Sequence, residues 1–405
     1  MNFRLSLLAR VVLTAVVALA LCAILPAAGS ITGAQSGRQP PQKKVEKKTE
    51  GQKQDQSEKP GKPGEPPLPP LTQEQRNEPP IKLSTQVVNV EVTVIDKKTH
   101  RLVPGLTKKN FTIYEDGLKQ EVTNFAPGEG PMTVVLLIDN GYQNRYFRGY
   151  FTPSTFEEIF RSAAAFVQGF VKPQDFVALV TFSLKPKVIQ DFTGDRQRLY
   201  GALMSAARDT LNFSESNIYD ALSFALLGGK AIQLYDENAG PSEYTGLQEI
   251  EGHTAVLLIT TGVDTFSRLT YDKTLKIVSR AGVPIFAVSV GNLFYKKYED
   301  RFPPESRLTY LQAQNGLETF AKYTGGTFFP MTFEGEIPSI MRSIEALLRT
   351  QYSLGYTPSN TRRAGKDRKI KVEVDLDGDG KPDNDKLELR FRERYVEPDD
   401  NPPKK

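Results

Sequence analysis

The sequence predicts an α/β protein, a doubly wound and mostly parallel sheet with flanking antiparallel β segments from both termini. Four apolar runs, Val134 to Ile138, Phe176 to Val180, Val256 to Ile259 and Ile285 to Val290, carry almost no polar residue, as strands buried on both faces do. Between them lie segments with apolar residues at helical spacing, which gives the strand–helix alternation of a parallel sheet. On either side of this region apolar and polar residues alternate one by one, the pattern of half-buried antiparallel strands.

Residues 1–30 have the parts of a secretory signal. Arg4 and Arg10 precede a nearly continuous apolar run from Val11 to Leu25, and Pro26-Ala27-Ala28-Gly29 supplies small residues for cleavage. The run is shorter than the about 20 residues that span a bilayer comfortably. A lipoprotein signal at Cys22 is disfavoured because the preceding Leu19-Ala20-Leu21 puts a bulky Leu where a small residue is expected. The chain is therefore expected to be exported, periplasmic or secreted, and membrane-anchored only if the signal stays uncleaved. Residues 31–80 are rich in Pro, Lys, Gln and Glu and bury too little to offset their chain entropy, so they read as a disordered linker.

Within 81–128, Val88, Val90, Val92 and Val94 alternate with polar residues. Phe111-Thr112-Ile113-Tyr114 then meets Asp116-Gly117, with Val122 to Phe125 following, a hairpin signal that makes this a small β unit. The α/β domain spans 131–350. Its first helix carries Phe156, Ile159, Phe160, Ala163, Phe166, Val167 and Phe170 on one stripe, and further helices are predicted at 195–208, 217–235, 270–281, 306–323 and 336–350. In 351–397, Ile370, Val372 and Val374 alternate, then Leu387, Leu389 and Phe391 do. They read as a C-terminal β-hairpin around an acidic loop. This hairpin is expected to pack with 81–128, because neither buries enough alone. Residues 398–405 are a tail.

Composition narrows the function. With 52 basic and 48 acidic residues and a formal charge of +4, no concentrated basic face points to nucleic acid. One cysteine excludes an intrachain disulfide and a thiolate cluster. The only histidines, His100 and His253, lack a paired nucleophile motif and read as surface residues. There is no Gly-x-Ser-x-Gly, no His-Glu-x-x-His and no phosphate loop ending in Gly-Lys-Ser/Thr. No catalytic residue is assigned, and the chain is read as a non-enzyme.

Val134-Val135-Leu136-Leu137-Ile138-Asp139, then Ser216-Asn217-Ile218-Tyr219-Asp220-Ala221-Leu222, then Leu257-Leu258-Ile259-Thr260-Thr261-Gly262-Val263-Asp264 resemble von Willebrand factor A (VWFA) domains in order and spacing. The preceding Val103-Pro104-Gly105-Leu106-Thr107, Phe111 and Tyr114-Glu115-Asp116-Gly117 are similar to the VWFA-related proteins first noticed in acidobacteria. The resemblance covers most of 81–358. It implies a six-stranded sheet whose carboxyl end binds a protein partner through Mg²⁺, held by an Asp-x-Ser-x-Ser loop, a Thr and a second Asp. A partner carboxylate completes the octahedron. Carried over residue by residue, Asp139 matches the first Asp, while Gly141 and Gln143 stand at the Ser positions. Ser216 replaces the Thr, Thr261 replaces the second Asp, and Asp264 matches only a nearby acidic position. Asp139 and Ser216 are thus the remnant of a degenerate adhesion site, with too little negative charge to favour Mg²⁺.

The same rim remains the expected partner-binding face, through Gly141, Tyr142, Gln143, Arg145, Tyr146, Thr261 and Asp264. The loop 140–153 concentrates the aromatic and Arg residues that interfaces favour; the alternative is that its rings fold back onto the domain. A second aromatic and basic stretch lies at 292–310, with Phe294, Tyr295, Tyr298 and Phe302 among Lys296, Lys297 and Arg301.

Asp375, Asp377 and Asp379 stand at alternate positions before Gly380, with Asp383 further on. That spacing resembles calcium loops of the EF-hand or thrombospondin-repeat type, in which Asp383 takes the ninth position. The twelfth position, where a bidentate Glu is expected, is Lys386; Asp385 or Glu388 would have to substitute. Ca²⁺ binding at 375–383 is one expectation and a solvated acidic turn the other. The sequence thus points first to an exported protein-binding or adhesion module and second to a calcium-stabilised structural component of the envelope. An exported hydrolase has only export behind it.

Overall fold

The computed structural model describes residues 87–128, 130–141, 153–208, 215–240, 242–248, 250, 252–362 and 365–397. The expected signal, linker and C-terminal tail lie outside the described residues. The chain opens on β1 (Val88–Asp96), β2 (Phe111–Glu115), β3 (Leu118–Gln120) and β4 (Val122–Ala126). It continues through β5 (Met132–Asp139), α1 (Pro153–Phe170), β6 (Phe176–Phe182), β7 (Pro186–Thr193) and α2 (Arg196–Arg208). Then come α3 (Ile218–Leu227), α4 (Gly229–Gln233), β8 (His253–Thr260), α5 (Tyr271–Ala281), β9 (Ile285–Ser289) and α6 (Gly291–Tyr298). After α7 (Pro304–Thr324), β10 (Phe328–Pro330) and α8 (Ile337–Thr350), it ends on β11 (Tyr352–Tyr356), β12 (Asp367–Val374), β13 (Leu387–Arg390) and β14 (Arg394–Val396).

The central six-stranded sheet has the order β10-β9-β8-β5-β6-β7, parallel except for β7, which runs antiparallel to β6. Every residue of β5 and β8 is buried, because helices cover both faces. Val134, Leu136 and Ile138 of β5 enter one core with α1, α2 and α8. Val135 and Leu137 enter the other with α3, α5 and α7. The chain builds out from β5 through β6 on one side and returns through β8 on the other. The strand order therefore reverses between β5 and β8, the place at whose carboxyl ends a sheet of this kind is expected to form its ligand crevice. β7 was not anticipated, since Lys187, Gln190 and Asp191 interrupt its apolar residues, as suits a partly exposed edge strand. The helix predicted over 217–235 is broken at Gly228, where φ is +61° and a Cβ would meet the Tyr244 carbonyl oxygen at 2.1 Å.

The remaining strands form two four-stranded sheets, β13-β1-β11-β4 and β14-β12-β2-β3. They share a core that includes Val90, Val92, Ile113, Tyr352, Leu354, Tyr356, Val372 and Val374. Each sheet takes strands from both flanks: β1 lies between β11 and β13, and β2 pairs with β12. Residues 87–128 therefore share both sheets with strands of the C-terminal flank. The Asp116-Gly117 turn, with φ of +48° and +84°, joins β2 to β3, while β4 crosses to pair with β11. Likewise β12 and β13 are not a hairpin, since β12 pairs with β14 and β2, and β13 with β1. Alternation marks a half-buried strand but not its partner; the shared core decides that.

This sandwich meets the amino end of the parallel sheet. His253, at the start of β8, is buried rather than at the surface. Its Nε2 lies 2.7 Å from the Pro127 carbonyl oxygen, and its Nδ1 lies at ion-pair distance, 3.6 Å, from Glu91 Oε2 of β1. Burial works against a charged ring, but the Glu91 carboxylate and the Pro127 carbonyl outweigh it and raise the His253 pKa. Arg392, also buried, donates to the Ser279 carbonyl at the end of α5 (3.3 Å) and to the Asn89 carbonyl of β1. The carboxyl-end crevice accordingly faces away from the sandwich. No helix among the described residues is long and apolar enough to cross a membrane.

Candidate functional site

Asp139, the last residue of β5, is fully buried at the crevice. Its Oδ2 accepts hydrogen bonds from Thr260 Oγ1 (2.6 Å), Ser216 Oγ (2.9 Å), Thr261 Oγ1 (3.2 Å) and the Thr261 amide (3.2 Å). Its Oδ1 accepts from the Gly141 amide at 3.0 Å. Burial pushes the carboxyl above its ordinary value while these donors pull against the rise. Asp139, Ser216, Thr261 and Gly141 thus lie together at the carboxyl ends of β5 and β8. Tyr142, Gln143, Arg145 and Tyr146 lie outside the described residues.

Asp264 has a different place. Its Oδ1 accepts from Ser267 Oγ at 2.6 Å and from the Tyr219 amide in the first turn of α3 at 3.3 Å. A carboxylate there complements the unpaired amides of a helix start. Burial pushes its pKa up to about 6, against the hydrogen bonds of Ser267 and Tyr219. Asp220, in the first turn of the same helix, accepts from the Arg268 and Leu269 amides at 3.0 and 2.9 Å. Asp264, Ser267 and Asp220 therefore clasp the loop after β8 to α3. Thr265 adds a bond from the Ser216 amide at 2.7 Å. The sequence reading missed Thr260, Asp220, Thr265 and Ser267. Only Asp220 carried a signal, as an acid in the first turn of a predicted helix.

These groups do not fit Mg²⁺. That ion asks for hard, preferably anionic oxygen ligands in near-octahedral array, yet the Asp139 carboxylate spends its Oδ2 on Ser216, Thr260 and both donors of Thr261. The second carboxylate, Asp264, serves the helix start. Nor does Gly141 leave room for the family's serine, since a Cβ there would come within 2.5 Å of the Glu215 carbonyl oxygen.

Around the crevice, Leu184 follows β6, Phe266 follows β8 and Phe333 follows β10, with 38%, 62% and 58% of their surfaces exposed. The aromatic stretch at 292–310 is mostly folded back. Phe294, Tyr295 and Phe302 are buried, and Tyr295 stacks on Tyr310 with ring centroids 4.4 Å apart. Helix α6 places its apolar face inward there, so that stretch offers basic side chains rather than rings.

In the acidic loop, Asp375, Asp377 and Asp383 bring carboxylate oxygens within 4.8 Å of one another. Asp379 is not in this group; its Oδ1 accepts from the Lys381 amide at 2.8 Å. Lys386 Nζ sits 2.6 Å from Asp383 Oδ1 and holds that carboxyl below the usual range.

No protein-family model matches the chain, and no curated protein matches it. The solved structures that it is similar to include three of different source. One is an aerotolerance-related membrane protein from Bacteroides fragilis, with 18% identity and a TM-score of 0.35 over 54% of this chain and 98% of that one. The vWF domain of the type V pili tip protein Mfa5 from Porphyromonas gingivalis shares 12% identity, with a TM-score of 0.32 over 54% of this chain and 94% of that one. Proximal thread matrix protein 1 from the mussel byssus, with a zinc-occupied MIDAS motif, shares 15%, with a TM-score of 0.36. That match covers 58% of this chain and 49% of the mussel protein.

Proposed function

We propose that the chain is an exported, non-enzymatic protein-binding or adhesion module that meets its partner with the carboxyl-end face of its sheet, around a degenerate metal-ion-dependent adhesion site. The observation that carries this reading is the carboxyl end of the sheet, which faces away from the sandwich and where the loops after β6, β8 and β10 expose Leu184, Phe266 and Phe333. Large apolar side chains grouped at a ligand crevice are typical of interaction surfaces. Gly141, Thr261 and Asp264 on the described loops, with Tyr142, Gln143, Arg145 and Tyr146 from the loop before α1, are the proposed contacts. Export, to the periplasm or beyond, rests on the signal-like residues 1–30, and the partner is a protein rather than a nucleic acid.

Affinity capture from an envelope fraction tests this. The parent chain should retain the same protein with and without EDTA. A Phe266→Glu/Phe333→Glu variant with unchanged melting temperature should lose it. Undiminished capture by that variant contradicts the reading. A second reading, a calcium-stabilised component of the envelope, is favoured by the Asp375, Asp377 and Asp383 group; the two are compatible, since the loop and the crevice lie in different layers.

A further inference from the structure

We propose that the crevice is a cation-free latch, in which Asp139 itself ties together the three loops of the face that a divalent ion would otherwise organise. This deepens the proposed binding reading by naming what holds its surface in shape. An ionised carboxylate offers about four lone-pair positions. Asp139 receives five donors: Gly141 N, Ser216 Oγ, Thr260 Oγ1, Thr261 N and Thr261 Oγ1. Four of them converge on Oδ2, more than its lone-pair positions, and the Gly141 amide takes one position on Oδ1, so a cation at Oδ2 could bind only by displacing protein donors.

The donors come from three separate segments. Gly141 belongs to the turn after β5, Ser216 to the residues before α3, and Thr260 and Thr261 to the end of β8. Thr260 Oγ1 extends the latch by accepting from the Gly262 amide at 3.0 Å. Ser216 extends it through Thr265, whose amide donates to the Ser216 carbonyl at 3.0 Å. The packing at Gly141 is independent support. The turn after β5 lies so close to the Glu215 main chain that a side chain at 141 has no space, so a serine ligand could not be restored there without moving the backbone. Hydrogen bonds to a charged acceptor are among the stronger ones a protein makes. A buried carboxylate needs them, since an uncompensated charge at this depth would not persist. The partner then meets a surface of fixed loops and exposed rings instead of an ion awaiting a carboxylate.

Two measurements on the full chain test the latch without any partner, so that failure of capture and failure of the latch are separable. The first is Mn²⁺ binding followed by electron paramagnetic resonance, in a chain carrying Asp377→Ala to silence the acidic loop. No stoichiometric ion is expected; a stoichiometric ion that Asp139→Ala removes overturns the proposal. The second is amide hydrogen exchange in parent, Asp139→Asn and Thr260→Val chains. Asp139→Asn should speed exchange by about tenfold or more at 139–141, 215–218 and 260–265 together, leave β1 and β12 unchanged, and show no rescue by Mg²⁺. Thr260→Val, which keeps the fold if Asp139→Asn does not, should loosen the same three segments to a smaller degree. Loosening confined to the mutated segment overturns the latch.

Discussion

Asp264 illustrates how a residue's neighbours decide its chemistry. Burial pushes its carboxyl up to about 6 from an ordinary 3.8 and outweighs the hydrogen bonds from Ser267 and Tyr219. A raised carboxyl contributes stability that is full below the ordinary value and is lost as pH rises through the folded value. Asp264→Asn keeps an acceptor for the helix start and removes that titration. The melting temperature of the variant relative to the parent should therefore climb as pH rises from 3.8 to about 6 and then level off; a difference that stays flat across this range contradicts the assignment. Asp139, Ser216 and Thr261 were legible in the sequence because three motifs that resemble VWFA domains in order and spacing placed them at strand and helix ends. Asp264, which the sequence places only near a ligand position, turns its carboxylate to the start of α3, a direction that closeness in sequence does not reveal. Thr260 was passed over because an alternating strand places only every second residue on one face, and the site uses both Thr260 and Thr261.

At the scale of elements, the buried parallel strands were the most legible, since apolar residues on both faces allow few other placements. The antiparallel strands were recognised individually, but their partners were not. Asp116-Gly117 makes a hairpin with β3, too short to stand out, and β12 and β13 lie in different sheets. Such pairings depend on contacts across more than two hundred residues, as between Val92 and Tyr352. The acidic loop between β12 and β13 was legible as a carboxylate group but not in its membership, which leaves out Asp379. Asp375, Asp377 and Asp383 repel one another, and the Lys386 ammonium offsets part of that charge. Millimolar Ca²⁺ is expected to raise the melting temperature, Asp377→Ala to abolish the gain, and Lys386→Glu, which removes the competing cation and supplies a ligand, to enlarge it. Equal melting temperatures with and without Ca²⁺ would dispose of the calcium reading.

For the whole molecule, the junction of sandwich and sheet sets where the crevice points. Arg392 lies beneath the carboxyl ends of two helices: it donates to Ser279 of α5, and its backbone packs against Gly325, the residue after α7. Helix carboxyl ends carry partial negative charge, which accounts for a buried guanidinium held by main-chain carbonyls. Gly282, after α5, has φ of +68°, and a Cβ there would meet Arg392 Nη1 at 2.5 Å. Gly282→Ala should cost about 1–3 kcal/mol in denaturant unfolding, and part of that cost should vanish in an Arg392→Ala background. Strict additivity would mean that the two do not press on each other.

With the sandwich on one end of the sheet, the partner is expected at the other. The most direct measurement places a photo-crosslinking phenylalanine analogue at 266, at 333 and at 118, where Leu118 is equally exposed but lies on the sandwich. Irradiation in cells should yield the same crosslinked protein from positions 266 and 333 and none from 118. A product from 118 alone would contradict the account.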